Sequence, residues 1–370
     1  MHALEVAALA FWLYALVTTI LNLLLERPLH PSDRTSGPFV SVIIPARNEE
    51  RSIGDTVAAM LAQTYRDIEL IVIDDQSTDR TPQILASFND SRLTVIQGEE
   101  TPAGWLGKPW ALEQGSGRAR GQLLLFVDAD IHYEPKAIAS MVDALEASRA
   151  SMLAVLPHIE MCTLGEQISM MMLPFIVWAG IPFWLGNRWN AVGLALGGGV
   201  GNFVRRGDYD AIGGHESLHN AVVDDIGLAR QFRARGFRTT HVITDDLVSA
   251  RIYHGLREVV FGFEKNMFAV LGSVWAACVM AVLMIGVHLM PFALALLGRP
   301  ISIAIVAICT LIRLMIAIRG RYSLLNAIFL HVPMVLVWFY ILIQSTWMTV
   351  RRREIHWRGR RSAEWSRFGR

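Results

Sequence analysis

Charge is scarce in this 370-residue chain. Asp, Glu, Lys and Arg make up 18% of it, against about a quarter in ordinary soluble domains. Basic and acidic residues number 34 and 33, a net charge of +1, so there is no global electrostatic case for a nucleic-acid partner. Cysteine is nearly absent. Cys162, Cys278 and Cys309 form no CxxC pair, which leaves no readable zinc site or disulfide framework and makes three small buried thiols the expectation. No Gly-x-Gly-x-x-Gly follows the first strand-like run, which argues against a dinucleotide fold. Apolar residues are abundant: 53% of the chain is hydrophobic and mean hydropathy is +0.36. Disorder is thereby excluded as the main state, and a purely soluble protein is not expected.

The apolar residues are concentrated in long runs. Ala3–Leu25 suits a bilayer span, which needs about 20 residues. No basic n-region precedes it and Glu26-Arg27-Pro28 is no small-residue cleavage site, so a retained anchor over 1–27 is expected rather than a signal peptide. Phe268–Leu297, Ile301–Ile318 and Leu324–Met348 make a second membrane region over 268–348. Arg313 makes the middle run the weakest candidate for a plain span. Eight arginines lie in the last 22 residues, 349–370, a basic tail suited to acidic head groups. Positive charge at Arg27 and in the tail marks both as cytoplasmic. Three C-terminal spans would put the tail outside, so one of the three is expected to be re-entrant or interfacial. Residues 168–185, broken by Pro174, Gly180 and Pro182 and carrying Trp178 and Trp184, read as an interfacial segment.

Between 38 and 260 the pattern changes. Val40–Pro45, Ile68–Asp74, Arg92–Ile96, Gln122–Val127 and Met152–Leu156 are short, near-continuous apolar runs. They alternate with helical stretches over Ser52–Gln63, from Thr81-Pro82, over Trp110–Arg120 and over Pro135–Ser148. This predicts an α/β domain with a mainly parallel sheet sandwiched by helices. Ligands of such sheets bind beyond the carboxyl ends of the strands.

Carboxylates gather at those ends. The first strand runs into Pro45-Ala46-Arg47-Asn48-Glu49-Glu50, the second into Asp74-Asp75-Gln76-Ser77-Thr78-Asp79, and the fourth into Asp128-Ala129-Asp130. Crowded acids repel one another unless a cation or hydrogen-bond donors share the site, and hard divalent cations with oxygen ligands also grip phosphates. The alternative is that these acids cap turns and helices. In the DxD, one carboxylate would coordinate a metal on a diphosphate and the other hold the metal's water or a ribose. Gly104–Leu112 opens a helix whose N-terminus and Lys108 suit phosphate contact, although Pro109 and the short glycine spacing exclude a Walker A loop. Gly197-Gly198-Gly199-Val200-Gly201-Asn202 either lets a ligand approach the main chain or is a plain loop. Asp224 and Asp225 stand at a predicted helix start, where they cap or, functionally, supply a general base. Along that helix Ile226, Ala229 and Phe232 share one face, with Arg230, Arg233 and Arg235 directed elsewhere.

The order PARNEE, DDQSTD, DAD, glycine loop with Arg205-Arg206, and DDIGLARQFRARG resembles the inverting family 2 glycosyltransferases of GT-A fold, over roughly residues 38–260. The GWLGKPWAL segment and flanking membrane runs are similar to the branch that includes hopene-associated and carotenoid-type enzymes. The resemblance implies that Pro45, Arg47 and Glu49, with Asp74 or Asp75, bind the nucleotide base and ribose, with Lys108 near the donor. It implies that Asp128 and Asp130 hold Mn²⁺ or Mg²⁺ on the diphosphate. Asp225 stands where the family has its base, and Asp224 replaces the usual Glu. The QxxRW motif of processive members is absent; Phe261–Asn266 stands there.

The expected function is therefore transfer of one sugar, with inversion, from a nucleotide-sugar donor to a lipid acceptor, hopanoid or isoprenoid in class. The expected location is the inner membrane, multi-pass, with a cytoplasmic catalytic domain. Two rivals remain: a nucleotidyltransferase, which would need a longer basic glycine-rich loop after the first strand, and a non-catalytic membrane scaffold, which would be free to lose the rim acids.

Overall fold

A computed structural model describes residues 2–26, 28–221, 223–352, 355–357 and 360–362. Arg27 and most of the arginine-rich tail lie outside the described residues. The chain divides into two compact units, one of 25–160 with 183–251, the other of 1–24, 161–182 and 252–370.

The first unit is the α/β domain. Its strands are β1 (Val40–Ala46), β2 (Ile68–Asp74), β3 (Leu93–Gln97), β4 (Leu123–Phe126), β5 (Ile131–Tyr133), β6 (Met152–Leu156), β7 (His158–Ile159), β8 (Asn202–Arg205), β9 (Thr239–Ile243) and β10 (Val248–Ala250). The main sheet runs β3-β2-β1-β4-β8-β6-β9, and β5-β10-β7 form a small second sheet. All pairs of the main sheet are parallel except those of β8, which is antiparallel to β4 and β6. β1, β2 and β4 are wholly or almost wholly buried, because helices cover both faces; hence their continuous apolar sequences. The chain builds outward from β1 through β2 to β3, then returns to place β4 on the other side of β1. That reversal opens a crevice at the carboxyl ends of β1 and β4.

Helix Asp224–Ala234 corrects one expectation: Asp224, Leu228, Ala229, Phe232 and Arg233 are its buried residues. Arg233 is spent inside, donating to Gly186 O, Trp189 O, Ala191 O and both oxygens of Thr239.

The second unit is helical. Among the described residues, four helices are long and apolar enough to cross a membrane: His2–Leu25, Val274–Leu296, Pro300–Arg319 and His331–Val350. All three C-terminal runs qualify, so length gives no ground for making one of them interfacial. Four spans would leave Arg27 and the arginine tail on opposite sides. The middle run, Pro300–Arg319, is among them despite Arg313. Arg313 is buried and donates to Ala327 O and Asn326 O, the carbonyls ending the short helix Leu324–Phe329. A buried arginine is tolerated where it satisfies such groups. Phe268–Leu297 is not continuous, since Gly272 at φ +74° ends one helix and Ser273 caps the next. The 161–182 stretch breaks into short helical pieces, and Asn22 of the first helix binds the carbonyls of Trp178 and Ile181 there. Of the three cysteines only Cys309 is buried, so the expectation of three buried thiols fails for Cys162 and Cys278.

Candidate active site

At the rim, the loops after β1 and β2 are laced together. Asn48 and Gln76 both adopt positive φ, +54° and +57°, conformations that Asn tolerates better than most residues. The Asn48 amide donates to Ser77 Oγ, and Asn48 Oδ1 accepts from Thr78 N. Glu49 N donates to Thr81 Oγ1 and Glu50 N to Asp79 Oδ2. Asp74 is buried and accepts from Ser77 N. Asp74 and Asp79 therefore perform the turn-forming work offered above as the alternative. Arg47 reaches across to Asp75, donating to its carbonyl at 2.6 Å with the carboxylate at 3.5 Å. Pro45 and Glu49 are half-buried beside them.

The DxD turn follows β4. Val127 N donates to Ile43 O, Asp128 N to Gly199 O and Thr56 Oγ1 to Ala129 O. These bonds seat the turn against β1, the glycine loop and the helix Ile53–Leu61. Burial, and then the charge of Asp128, push Asp130 up to about 6.

Lys108 lies in the first turn of helix Gly107–Arg118. Its Nζ is 2.7 Å from Asp128 Oδ1 and 3.7 Å from Asp224 Oδ1. Burial alone would lower the Lys108 pKa, but Asp128, Asp224 and Asp225 together raise it, so the ammonium persists throughout the physiological range. Asp224 is 5% exposed; burial raises its pKa despite the opposing pull of Lys108. Neither aspartate is the N-cap: Val223 holds that place and makes no side-chain cap bond. Asp225 Oδ1 instead accepts from the neighbouring Ile226 N at 2.7 Å. Lys108, Asp128, Asp130, Asp224 and Asp225 thus form one electrostatic cluster. Arg47, Asp74 and Asp75 belong to the adjacent β1/β2 end.

The glycine loop is crowded by the site itself. A Cβ on Gly199 would stand 2.0 Å from Asp128 Oδ2, and one on Gly197 2.2 Å from the Asp225 carbonyl. Asn202 completes the arrangement: its Oδ1 accepts from Gly198 N and its Nδ2 donates to Asp225 O. The main chain here is approached by the aspartates. Asn202 carried no role in the sequence reading, although it directly follows the glycine run. His215 was also missed. It is buried against Phe126 and Tyr209, and burial, then the nearby Lys108, push it down to about 3.

No group of three or more His, Cys, Asp or Glu able to hold a metal occurs among the described residues. The donor set nonetheless fits a hard divalent cation completed by phosphate oxygens, since such ions are commonly held by one or two carboxylates plus substrate. Asp128 and Asp130 are two such oxygen donors whose mutual repulsion a cation would relieve.

The chain is similar to several known proteins. Residues 41–213 match the family described as glycosyl transferase family 2. The 4,4'-diaponeurosporenoate glycosyltransferase of Staphylococcus haemolyticus (strain JCSC1435) is 24% identical over 231 residues, 62% of this chain and 60% of that protein. Its counterpart in Staphylococcus aureus (strain USA300) is 26% identical over 233 residues, with the same coverage. The chain thus spans about 60% of the length of these curated relatives. Among solved structures, the mannosyltransferase PcManGT of Pyrobaculum calidifontis, in complex with GDP-Man and Mn²⁺, aligns over 95% of this chain and 100% of its own, at 19% identity and TM-score 0.50. Residues 41–213 are thus similar to glycosyl transferase family 2, and the α/β unit has a GT-A-like fold.

Proposed function

We propose that the protein is a membrane-bound, non-processive glycosyltransferase that moves one sugar from a nucleoside-diphosphate sugar to a lipid acceptor with inversion. One observation carries the reading: a half-buried ammonium, Lys108, lies between the DxD carboxylate Asp128 and Asp224 of the helix-start pair. A leaving-group site and a base site are thereby brought within one side chain's reach, at the crevice where GT-A folds bind their donors.

In this reading Arg47 and Asp75, with Pro45, Glu49 and Asp74 behind them, take the base and ribose. Asp128 and Asp130 would hold Mn²⁺ or Mg²⁺, which when bound neutralises the diphosphate. Lys108 supplies a fixed positive charge toward the departing β-phosphate. Asp225 accepts the acceptor's hydroxyl proton as that oxygen attacks the anomeric carbon, while the C1–O bond to the diphosphate breaks on the opposite face. Asp224, buried beside Lys108, orients that ammonium. The helical unit with its four long apolar helices favours a lipid acceptor, and the acceptor named in the staphylococcal relatives is a carotenoid acid. We place the catalytic unit on the cytoplasmic side, where nucleotide sugars are made.

The test uses purified, detergent-solubilised protein with a panel of UDP- and GDP-sugars, Mn²⁺ or Mg²⁺, and a lipid extract. Lipid-dependent release of nucleoside diphosphate, lost in Asp225→Asn, is expected. Failure to bind any nucleotide in the presence of metal would overturn the reading in favour of a scaffold.

A further inference from the structure

We propose that the surface formed by residues 184–190 and 235–238 docks the head groups of anionic phospholipids. The two segments make one face. Arg238 reaches Asn187 O at 3.5 Å, Asn190 Nδ2 donates to Phe237 O at 2.7 Å, and Asn187 Oδ1 accepts from Thr240 Oγ1 and His241 N. Beneath them the buried Arg233 holds the carbonyls of Gly186, Trp189 and Ala191. The surface is therefore rigid, and what it presents outward is fixed by the fold.

What it presents is arginine and tryptophan. Trp189 is 65% exposed. Arg188 lies over the Trp184 ring at 5.6 Å and donates to the Trp184 carbonyl. Arg235 and Arg238 are exposed on either side of the Gly236-Phe237 turn. The acid in contact with this face, Glu26, is enclosed: Asn187 Nδ2 donates to it at 2.9 Å, with Arg188 at 3.7 Å and His241 at 3.5 Å. Three exposed guanidinium groups thus stand against one enclosed carboxylate.

Chain continuity supplies the partner. Glu26 directly follows Leu25, the last residue of a 24-residue apolar helix. A residue one step beyond a span lies at head-group depth, and Asn187 is hydrogen-bonded to that residue. The same face begins directly after the apolar 161–182 stretch, which belongs to the helical unit. Tryptophan prefers this level, arginine takes phosphate oxygens with its planar fork, and clustered basic residues favour an anionic leaflet. None of this depends on the sugar-transfer reading.

The test uses the full chain in nanodiscs of phosphatidylcholine with or without phosphatidylglycerol, each also as the dibrominated, fluorescence-quenching form. The Trp189 share of emission is the difference between wild type and Trp189→Phe. It is expected to be quenched more by brominated phosphatidylglycerol than by brominated phosphatidylcholine. Native mass spectrometry from mixed bilayers is expected to show retained phosphatidylglycerol, falling about fivefold per arginine removed in Arg188→Gln/Arg238→Gln. If that variant fails to fold, the quenching comparison decides alone. Absence of quenching by either lipid would put the face in water and overturn the proposal. Equal quenching by the two would mean membrane contact without head-group selection, and would overturn it as well.

Discussion

Three adjacent glycines permit a graded test of how the cluster of Lys108 and the aspartates is held. At Gly198 an added methyl meets nothing nearer than Val155 O at 3.9 Å, an ordinary contact, so Gly198→Ala should leave folding and turnover near wild type. At Gly199 the methyl would stand 2.0 Å from Asp128 Oδ2 and 2.7 Å from its Cγ. A side chain can turn away, so the fold survives, but the turn takes Asp128 off its 2.7 Å contact with Lys108. A displacement of about 1 Å at a reacting centre costs on the order of 10²-fold in rate. At Gly197 the clash is with backbone, 2.2 Å from Asp225 O and 2.7 Å from its carbonyl carbon. The start of helix Asp224–Ala234 must then shift, and overpacking of this kind costs about 1–3 kcal/mol. Gly197→Ala should therefore lose both thermal stability and activity. The assays are nucleoside-diphosphate release in nanodiscs and the melting midpoint, measured on all three variants. Wild-type turnover in Gly199→Ala, or equal damage from Gly198→Ala and Gly197→Ala, would refute the account of the loop as a wall shaped to the aspartates.

Three further outcomes are expected. Asn202→Asp keeps the acceptor for Gly198 N but loses the donor to Asp225 O; turnover should fall with little change in nucleotide affinity, and a matched loss of both would make Asn202 merely structural. Arg233→Met takes the guanidinium from the carbonyls of Gly186 and Trp189, while Ala191 O keeps Leu194 N, at about 1–3 kcal/mol for each group left without a partner; chemical denaturation should show a large loss, and a near-neutral variant would mean water replaces the guanidinium. His215 is held down at about 3 against an ordinary 6.5, so the unfolded chain binds the extra proton between those values. Its contribution is complete above about 6.5 and is lost as pH falls toward 3. His215→Gln should flatten the acid side of the stability–pH profile, and an unchanged slope would show that other groups set it.

The strands could be read because they are buried on both faces: β1, β2 and β4 carry no polar alternation to confuse with a helix. The placement of the DxD and of the Asp224-Asp225 pair could be read because the end of an apolar run and the start of a helical one are legible, and they stand after β4 and at the start of helix Asp224–Ala234. Their common partner was harder to see. Nothing near Lys108 in sequence says that it will reach Asp128 and Asp224; that follows only when the crossover from β3 to β4 lays its helix across β1 and β2. Arg233 failed for a related reason. A helical wheel puts a charged residue outside, but it cannot anticipate the carbonyls of a distant irregular segment, which need a donor inside. The same logic explains Arg313, whose partners end a separate short helix. In each case a cation judged by its own neighbours looked out of place. It became intelligible once the acceptors facing it were counted, since a buried cation is tolerated only where such partners replace its water.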